Sequence, residues 1–477
     1  MGAKTSMANL IENSSFEVGY GNGWVAAIPN HDGLSKLNLD FSTSVHGKYS
    51  LKLPVLGYHP PYYPFLKRFT KIRSEPWAGG YSDPTYDEHW PNVYSRLPCG
   101  TMTEETVLEY KYIRIPQVGK KYTLSAWMKA DFSEVSATLS FLTGKGSGGS
   151  RIVKLDNEWA RYFVSYEISK EDIPETKEPS VFLRFEFEGP RKGNVWIDAV
   201  QLEEGELTDY QPCAPVEIGM ETDYPGNIFP SVAETVLKLS ITTSENFRSK
   251  SNRVEVSLKI YNYYEKLVHD NIYSICIEKD GTGKILVTVP VKKTGIFRAE
   301  AEIIEGDRKI SPLSQLIFAR IPKLNSTGKR NIDSFFGNHF PLMWGHLKVA
   351  ESLGFKWTRG HDSLLDFYWW VIEPEKGKYV WVDEKIKAAH DIGIDILVNL
   401  ERVPWWSSTA PDDIDKWWKI GYYFPSDMKD WEDYVFNVVS HHKGKIVFFE
   451  VWNEPHGFPG SRSVSYTHLT LPTNREV

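Results

Sequence analysis

Hydrophobic and polar positions follow two different patterns along the chain. As far as residue 322, short stretches alternate apolar and polar residues, as at 235–241, 254–260 and 295–303. A period of two gives a β-strand one apolar and one polar face, which is typical of antiparallel sheets. Beyond residue 322, apolar stretches alternate with segments of helical period. That succession predicts repeated β–α units and a parallel sheet.

The patterns divide the chain into three domains and a tail. Residues 8–212 contain short β-rich stretches between turn residues, which predicts an all-β sandwich. Residues 213–322 predict a smaller, immunoglobulin-like β-sandwich without the Cys–Trp–Cys spacing of antibody domains. Residues 323–462 predict four β/α units, whereas residues 463–477 follow neither a helical nor a strand pattern.

The predicted β/α units have recognisable boundaries. Gly354 and Gly393 each follow a helical segment and are expected to end it. The predicted strands are residues 335–340, 356–359, 395–400 and an apolar stretch from 445 onwards, and the predicted helices are residues 347–354, 383–392 and 427–440.

The fourth predicted strand ends in the sequence Trp452–Asn453–Glu454–Pro455. Alternation along the strand would place Glu450, Trp452 and Glu454 on one face. A carboxyl group beside an indole at the end of a buried strand would be partly desolvated, which raises its pKa as a general acid requires. Pro455 cannot donate a ladder hydrogen bond and should end the strand.

Composition and charge argue against some classes of function. The net charge of −7 and the pI of about 6.1 argue against nucleic acid as a partner, and no apolar stretch is long enough for a membrane span. Aromatic residues make up 14% of the chain, which fits stacking on sugar rings and equally fits core packing. Cys99, Cys213 and Cys276 have no metal or disulfide spacing and are expected to be free thiols.

The motif Asn453–Glu454–Pro455 after an apolar strand resembles the end of strand 4 in the large clan of (β/α)8 retaining glycoside hydrolases, which includes cellulases, mannanases, β-xylosidases and β-galactosidases. Residues 353–359 resemble strand 2 of that clan, and residues 369–379 resemble the segment that follows it. The resemblance implies the first four units of a TIM barrel and hydrolysis of a polysaccharide or oligosaccharide by two carboxylates, with no cofactor for catalysis.

The resemblance also assigns roles. Glu454 would be the acid/base, Asn453 would contact the sugar 2-hydroxyl, and Arg359 would orient the nucleophile. His339 and Trp405 follow strand ends and are further candidates, because such barrels build their sites there. His339 is either a ligand or a packed histidine of the barrel mouth, and Trp405 is either a sugar platform or a core residue.

The clan's nucleophile is a Glu at the end of strand 7, and a full barrel takes about 250 residues. Glu373 and Glu401 fall in loops that do not match that position. The chain is therefore expected to be a fragment that lacks the nucleophile half and is inactive, with residues 463–477 as a non-native tail that resembles a translated sequencing adapter. The alternative function is a non-catalytic carbohydrate-binding protein.

Residues 8–212 resemble the galactose-binding-like jelly roll of carbohydrate-binding modules, a fold that serves either in sugar binding or as a purely structural domain. Residues 56–103 form a long insertion rich in proline and aromatic residues. The resemblance implies a structural Ca²⁺ ion with Glu17 and Asp198 as ligands, and carboxylates suit that ion. Alternatively, both are ordinary surface acids.

The N-terminal residues lack the apolar stretch of a signal peptide. The sequence alone is therefore consistent with a cytoplasmic protein or with a start that lies upstream. The glycoside hydrolase resemblance instead implies an extracellular or periplasmic location.

The jelly-roll resemblance and the aromatic residues of the insertion predict that residues 8–212 fold alone and bind a soluble polysaccharide weakly. Affinity electrophoresis of this segment against a panel of plant and algal glycans should show retardation by at least one glycan. Unretarded migration with every glycan would leave only the structural role.

Overall fold

The computed structural model describes residues 9–19, 24–29, 38–55, 99–101, 106–114, 117–143, 146–172, 180–324, 328–340, 342, 344–360, 367–411 and 417–453. The described residues up to Leu324 belong to one compact unit, and those from Gly328 onwards belong to a second. Most of the 56–103 insertion, Glu454 and the tail at 463–477 lie outside the described residues.

The first unit begins with two packed sheets, as the alternating pattern predicts. One sheet has the strand order β4–β1–β5–β10–β7–β8 and the other β2–β3–β11–β6–β9. Apolar side chains of both sheets, such as Leu124, Leu139 and Leu183, are fully buried between them. The strands are β1 (Trp24–Pro29), β2 (Asn38–Asp40), β3 (Ser50–Val55), β4 (Cys99–Thr101), β5 (Thr106–Arg114), β6 (Lys121–Ala130), β7 (Val135–Thr143), β8 (Gly146–Leu155), β9 (Ala160–Glu167), β10 (Ser180–Glu188) and β11 (Gly193–Glu204).

A second sandwich completes this unit. Its sheets have the orders β12–β14–β17 and β13–β20–β18–β15–β16, with β19 paired to β18. Val254 and Val256 are buried whereas Glu255 between them is exposed, which confirms the alternation. The strands are β12 (Val216–Glu221), β13 (Ile228–Pro230), β14 (Thr235–Thr243), β15 (Arg253–Asn262), β16 (Leu267–Cys276), β17 (Thr282–Val289), β18 (Gly295–Glu305), β19 (Arg308–Lys309) and β20 (Ser314–Ile321), with a short helix α1 (Glu245–Arg248).

The second unit contains a four-stranded sheet in the order β21–β22–β23–β24, and all three strand pairs are parallel. This confirms the predicted β–α succession, although the outer strands are shorter than the sequence suggests. The elements are β21 (Gly337–Asn338), α2 (Trp344–Leu353), β22 (Trp357–Gly360), α3 (Trp369–Ile372), α4 (Asp383–Asp391), β23 (Asp395–Leu400), α5 (Met428–His441) and β24 (Phe448–Val451).

The local sequence explains where the helices begin and end. Asp427 caps α5 by accepting a hydrogen bond from the backbone N–H of Lys429 at 2.9 Å. Gly354 and Gly393 follow α2 and α4 with φ of 76° and 81°, as expected for helix-ending glycines.

The core of the second unit lies on one face of its sheet. Ile396, Val398 and Leu400 of β23 are buried in a cluster with Trp369 and Tyr434 from the helical segments. The alternate residues of the strands, including Arg359 and Glu450, point to the opposite face. The described strands therefore form an open sheet covered by helices on one face, and its closure into a barrel stays a proposal.

The end of β24 corrects one prediction. The strand stops at Val451, and Trp452 has a φ of 63°, which turns the chain out of the strand. The Trp452 indole is buried in the helix-side core, with ring centroids 6.4 Å from Tyr422 and 6.5 Å from Trp431. The prediction that Glu450 and Trp452 share one face is therefore wrong, because burial of the large indole is gained only by leaving the strand conformation.

The cysteines whose side chains are described are unpaired, and no described helix could span a membrane. Cys213 is buried, Cys276 is exposed, and both are free thiols. Every helix in the described part of the chain is too short or too polar to span a bilayer.

Candidate active site

Arg359 joins two strand ends at the carboxyl edge of the parallel sheet. Its Nε and Nη2 atoms donate to Oε2 and Oε1 of Glu450 at 2.7 and 2.8 Å, and Nη2 also donates to Oδ1 of Asn453 at 2.9 Å. A guanidinium group matches a carboxylate in this two-bond geometry, which fixes direction as well as distance. Two of the residues that the resemblance singled out, Arg359 and Asn453, are therefore in direct contact.

Strand register explains why this contact forms. Arg359 of β22 pairs with Leu397 of β23, and Leu397 pairs with Phe448 of β24. Glu450 lies two residues further along β24 and hence on the same face. The long Arg359 side chain crosses the middle strand to reach it. Both side chains are partly exposed, so we expect the pair to contribute more to positioning than to stability.

His339 lies beside this pair. Its Nε2 atom is 3.5 Å from Nη1 of Arg359, and its side chain is exposed at the rim of the site. A distance of 3.5 Å is long for a hydrogen bond, so His339 is a neighbour of the guanidinium and not a fixed partner. Since the ring is exposed, the packed-histidine interpretation does not apply.

A cavity of about 490 Å³ opens on the same face of the sheet. Its wall includes Arg359, His339 and the rings of Trp357 and Phe448, whose centroids are 5.4 Å apart. A ring contact beside a cation and an imidazole offers apolar contact together with hydrogen-bonding groups. That combination suits a polar molecule with an apolar face.

The other predicted residues are placed differently. Trp405 is 48% exposed and is therefore not a core residue, but it does not line the cavity. Glu454 lies outside the described residues. Glu450 was missed as a site residue, although its place on the fourth strand, four residues before Glu454, could have suggested it.

Glu373 and Glu401 remain unsuited to the nucleophile role. Glu373 accepts hydrogen bonds from Nε1 of Trp369 and from the backbone N–H of Gly377, both at 2.7 Å, and burial raises its pKa. Glu401 is fully buried. Neither residue lines the cavity. The bonds of Glu373 hold a local turn.

Glu17 and Asp198, the candidate Ca²⁺ ligands, both bind the segment 45–49. Glu17 Oε1 accepts the N–H groups of Lys48 and Tyr49, each at 2.8 Å. Asp198 Oδ2 accepts those of Val45 and His46 at 2.6 and 3.0 Å. Both carboxyls are buried, so they are not ordinary surface acids.

In the described part of the chain, only one carboxylate oxygen of Glu17 and Asp198 is available to bind a Ca²⁺ ion. Oδ1 of Asp198 also accepts a peptide N–H, from Ala199 at 2.6 Å. Of the four carboxylate oxygens, Glu17 Oε2 is the one that is buried without a hydrogen-bond partner among the described residues. Because an orphaned anionic acceptor is costly, this atom is the one that an ion would bind.

Two further acids of the first unit, the half-buried Glu12 and the buried Glu217, also have raised pKa values. Burial raises the pKa values of Glu12, Glu17, Asp198 and Glu217 to about 7 each. Glu217 accepts a hydrogen bond from the backbone N–H of Asn13 at 3.1 Å and so links the two sandwiches of the first unit. The first unit therefore holds four acids that are hard to ionise.

Comparisons with known proteins give only distant likenesses. No family model matches the sequence, and no curated protein does. A xylan-binding domain of family 22 from Paenibacillus barcinonensis is 15% identical with a TM-score of 0.25, covering 43% of this chain and 100% of that domain.

Two enzyme structures are also similar. A β-glucuronidase from Bifidobacterium dentium is 11% identical with a TM-score of 0.22, covering 61% of this chain and 52% of the enzyme. A family 2 glycosyl hydrolase from Bacteroides cellulosilyticus is 11% identical with a TM-score of 0.24, covering 73% of this chain and 43% of the enzyme. These TM-scores are too low for any likeness to support an inference about this chain.

The four acids with raised pKa values predict a pH dependence of stability. Between pH of about 4.5 and 7 the folded state binds more protons than the unfolded state, so the free energy of unfolding should fall as pH rises through this window. The lowered pKa values of His46 and His269 act in the opposite direction. Among the described residues of the first unit, four acids oppose these two histidines, so the calorimetric transition of this unit should have a lower Tm at pH 8 than at pH 5.5.

Glu217→Gln keeps an acceptor and should raise the Tm at pH 8 while leaving it nearly unchanged at pH 5.5. Glu245→Gln, at a side chain that is 93% exposed, is the matched control and should change neither value. Addition of Ca²⁺ at pH 8 should raise the Tm of the wild type but not of Glu17→Gln if Glu17 Oε2 binds the ion. A Tm that rises steadily from pH 5.5 to 8 would contradict the prediction.

Proposed function

We propose that this chain carries part of the active site of a retaining β-glycoside hydrolase of the (β/α)8 clan that acts on a polysaccharide or oligosaccharide. The observation that carries this proposal is the contact of Arg359 with Glu450 and Asn453 at the carboxyl edge of a parallel sheet. In α/β sheets of this kind, strand ends build the active site. The proposed location is extracellular or periplasmic.

Glu454 follows Asn453 directly and is the proposed acid/base. In the first step it would protonate the glycosidic oxygen while a second carboxylate attacks the anomeric carbon. In the second step it would take a proton from the water that releases the sugar. The resemblance places the second carboxylate at the end of a seventh strand of the barrel.

The contacts of Arg359 support a positioning role in this scheme. Because Arg359 holds the side chain of Asn453, it would orient the amide that meets the sugar 2-hydroxyl. Glu450 neutralises the guanidinium and fixes its plane.

The alternative of a non-catalytic carbohydrate-binding protein depends on the first unit. Trp196 lies on the five-stranded sheet, but it is only 8% exposed, with Nζ of Lys52 and Lys129 at 5.0 and 5.2 Å from its ring. Its Nε1 donates to Asp40 at 2.7 Å. This indole is therefore occupied by protein groups, and sugar binding would depend on aromatic residues of the insertion, mostly outside the described residues.

The acid/base assignment predicts a dependence on the leaving group. In the hydrolytically active protein, Glu454→Gln should reduce turnover of substrates with poor leaving groups by about 10²–10⁴-fold. Activated aryl glycosides need little protonation and should lose much less. The exposed helix residue Glu432, changed to Gln, serves as control. A slight and equal loss for both substrate types would overturn the assignment.

The positioning role of Arg359 is tested by Arg359→Lys, which keeps the charge but loses the two-bond geometry. Misplacement of Asn453 and its neighbour should lower kcat/KM by about 10²-fold. Arg330→Lys is the matched control, since Arg330 pairs with Asp395 at the opposite end of the same sheet. That control should lower the Tm with little effect on kcat/KM. Similar kcat/KM losses for both variants would show that Arg359 serves stability alone.

A further inference from the structure

Asp383, His441 and His442 meet away from the candidate active site, where the start of α4 approaches the end of α5. Oδ2 of Asp383 lies 2.8 Å from Nε2 of His441, and Oδ1 lies 3.9 Å from Nδ1 of His442. One ligand atom from each residue can be chosen so that all three lie within 4.8 Å of one another. Two imidazoles and a carboxylate thus converge from two helices.

His442 is the unusual member of this group. Its side chain is fully buried, and neither ring nitrogen has a hydrogen-bond partner among the described residues. Buried polar groups are normally paired because an unpaired one costs free energy. Here a ring nitrogen faces a carboxylate oxygen at a distance that is too long for a hydrogen bond. A cation between the two atoms would give the ring nitrogen the partner that it lacks among the described residues.

His441 is held in place by aromatic stacking. Its ring lies on Trp381 with a centroid distance of 3.8 Å and an interplanar angle of 3°. The ring of Tyr379 also stacks on Trp381, at 5.1 Å and 7°. The ring orientation is therefore fixed before any ligand binds, which lowers the entropic cost of binding. His441 and Asp383 are only partly buried, so water could reach a fourth coordination position.

We propose that Asp383, His441 and His442 bind a divalent transition-metal ion of the zinc class. Zinc takes imidazole nitrogens and carboxylate oxygens at about 2.0–2.2 Å, which places neighbouring ligand atoms roughly 3–3.5 Å apart. The separations of 2.8 and 3.9 Å lie on either side of that range. Ca²⁺ and Mg²⁺ prefer oxygen ligands, so a site with two imidazoles selects against them.

Lys445 provides a direct test, because its Nζ donates to Oδ1 of Asp383 at 2.7 Å. An ammonium group at this position competes with a metal ion for the same carboxylate. If the cluster were only a network of ion pairs, Lys445 would be an essential partner. If it is a metal site, removal of Lys445 should strengthen metal binding.

The experiment is calorimetric titration of the chelator-treated 477-residue chain with ZnSO₄. We expect one saturable site in the wild type and tighter binding in Lys445→Gln. Loss of one ligand in His441→Gln or Asp383→Asn should weaken binding by at least about 100-fold, more than the 10–100-fold typical of an outer-shell partner. His269→Gln, in the first unit, is the matched histidine control and should bind as the wild type does.

His441 is partly exposed, so His441→Gln should fold even if a variant of the buried His442 does not. Tryptophan fluorescence adds a second readout, because Cu²⁺ at this site should quench Trp381, and Trp381→Phe should reduce the quenching while keeping the binding. The proposal is overturned if the wild type shows no saturable binding, if His441→Gln binds as tightly as the wild type, or if Lys445→Gln weakens binding.

Discussion

The parallel pairing of β22, β23 and β24 is the constraint on which the second unit depends. It sends alternate side chains to opposite faces, so that Ile396, Val398 and Leu400 enter the helix-side core. The same pairing leaves Arg359 and Glu450 on the other face, on strands separated by β23. A guanidinium on one strand and a carboxylate on another can then meet without any helix or loop between them.

The chain beyond β24 shows how the core and the candidate site are connected. Trp452 leaves the strand conformation with a positive φ and buries its indole among Tyr422 and Trp431. This turn carries Asn453 to the carboxyl edge of the sheet, where Arg359 binds it. Residues that bind or react are often placed in this way, on a short segment fixed by a rigid scaffold. Burial of one aromatic side chain thus positions the next residue.

Buried polar groups are treated differently in the two units. In the first unit, Glu17 and Asp198 accept several peptide N–H groups, which offsets part of the cost of burying them and fixes the segment 45–49. In the second unit, His442 is buried with neither ring nitrogen paired among the described residues. In the first arrangement one oxygen, Oε2 of Glu17, has no hydrogen-bond partner among the described residues, whereas in the second both nitrogens of a buried ring have none.

Local sequence patterns are sufficient to predict most strands and helices of this chain. Alternation predicts the strands of both sandwiches, and β23 spans the predicted residues 395–400. Helix caps and glycines placed the ends of α4 and α5 to within one residue. The bounds of strands and helices depend on residues that are close together in the sequence, and periodicity reports on such residues. Arg359 and Asn453 are predicted as site residues from the resemblance of short motifs to a known clan. The periodicity of the sequence does not indicate them.

Contacts between distant residues depend on the folded arrangement of the strands and helices. Arg359 and Glu450 are 91 positions apart, and Asp383 and His441 are 58 apart. Their contacts depend on strand register and on how two helices pack, neither of which a local pattern encodes. The face occupied by Trp452 was likewise set by the space available in the core, and not by strand alternation. Register and packing are collective properties of many residues, so the chemistry of both sites appears only once the chain is folded.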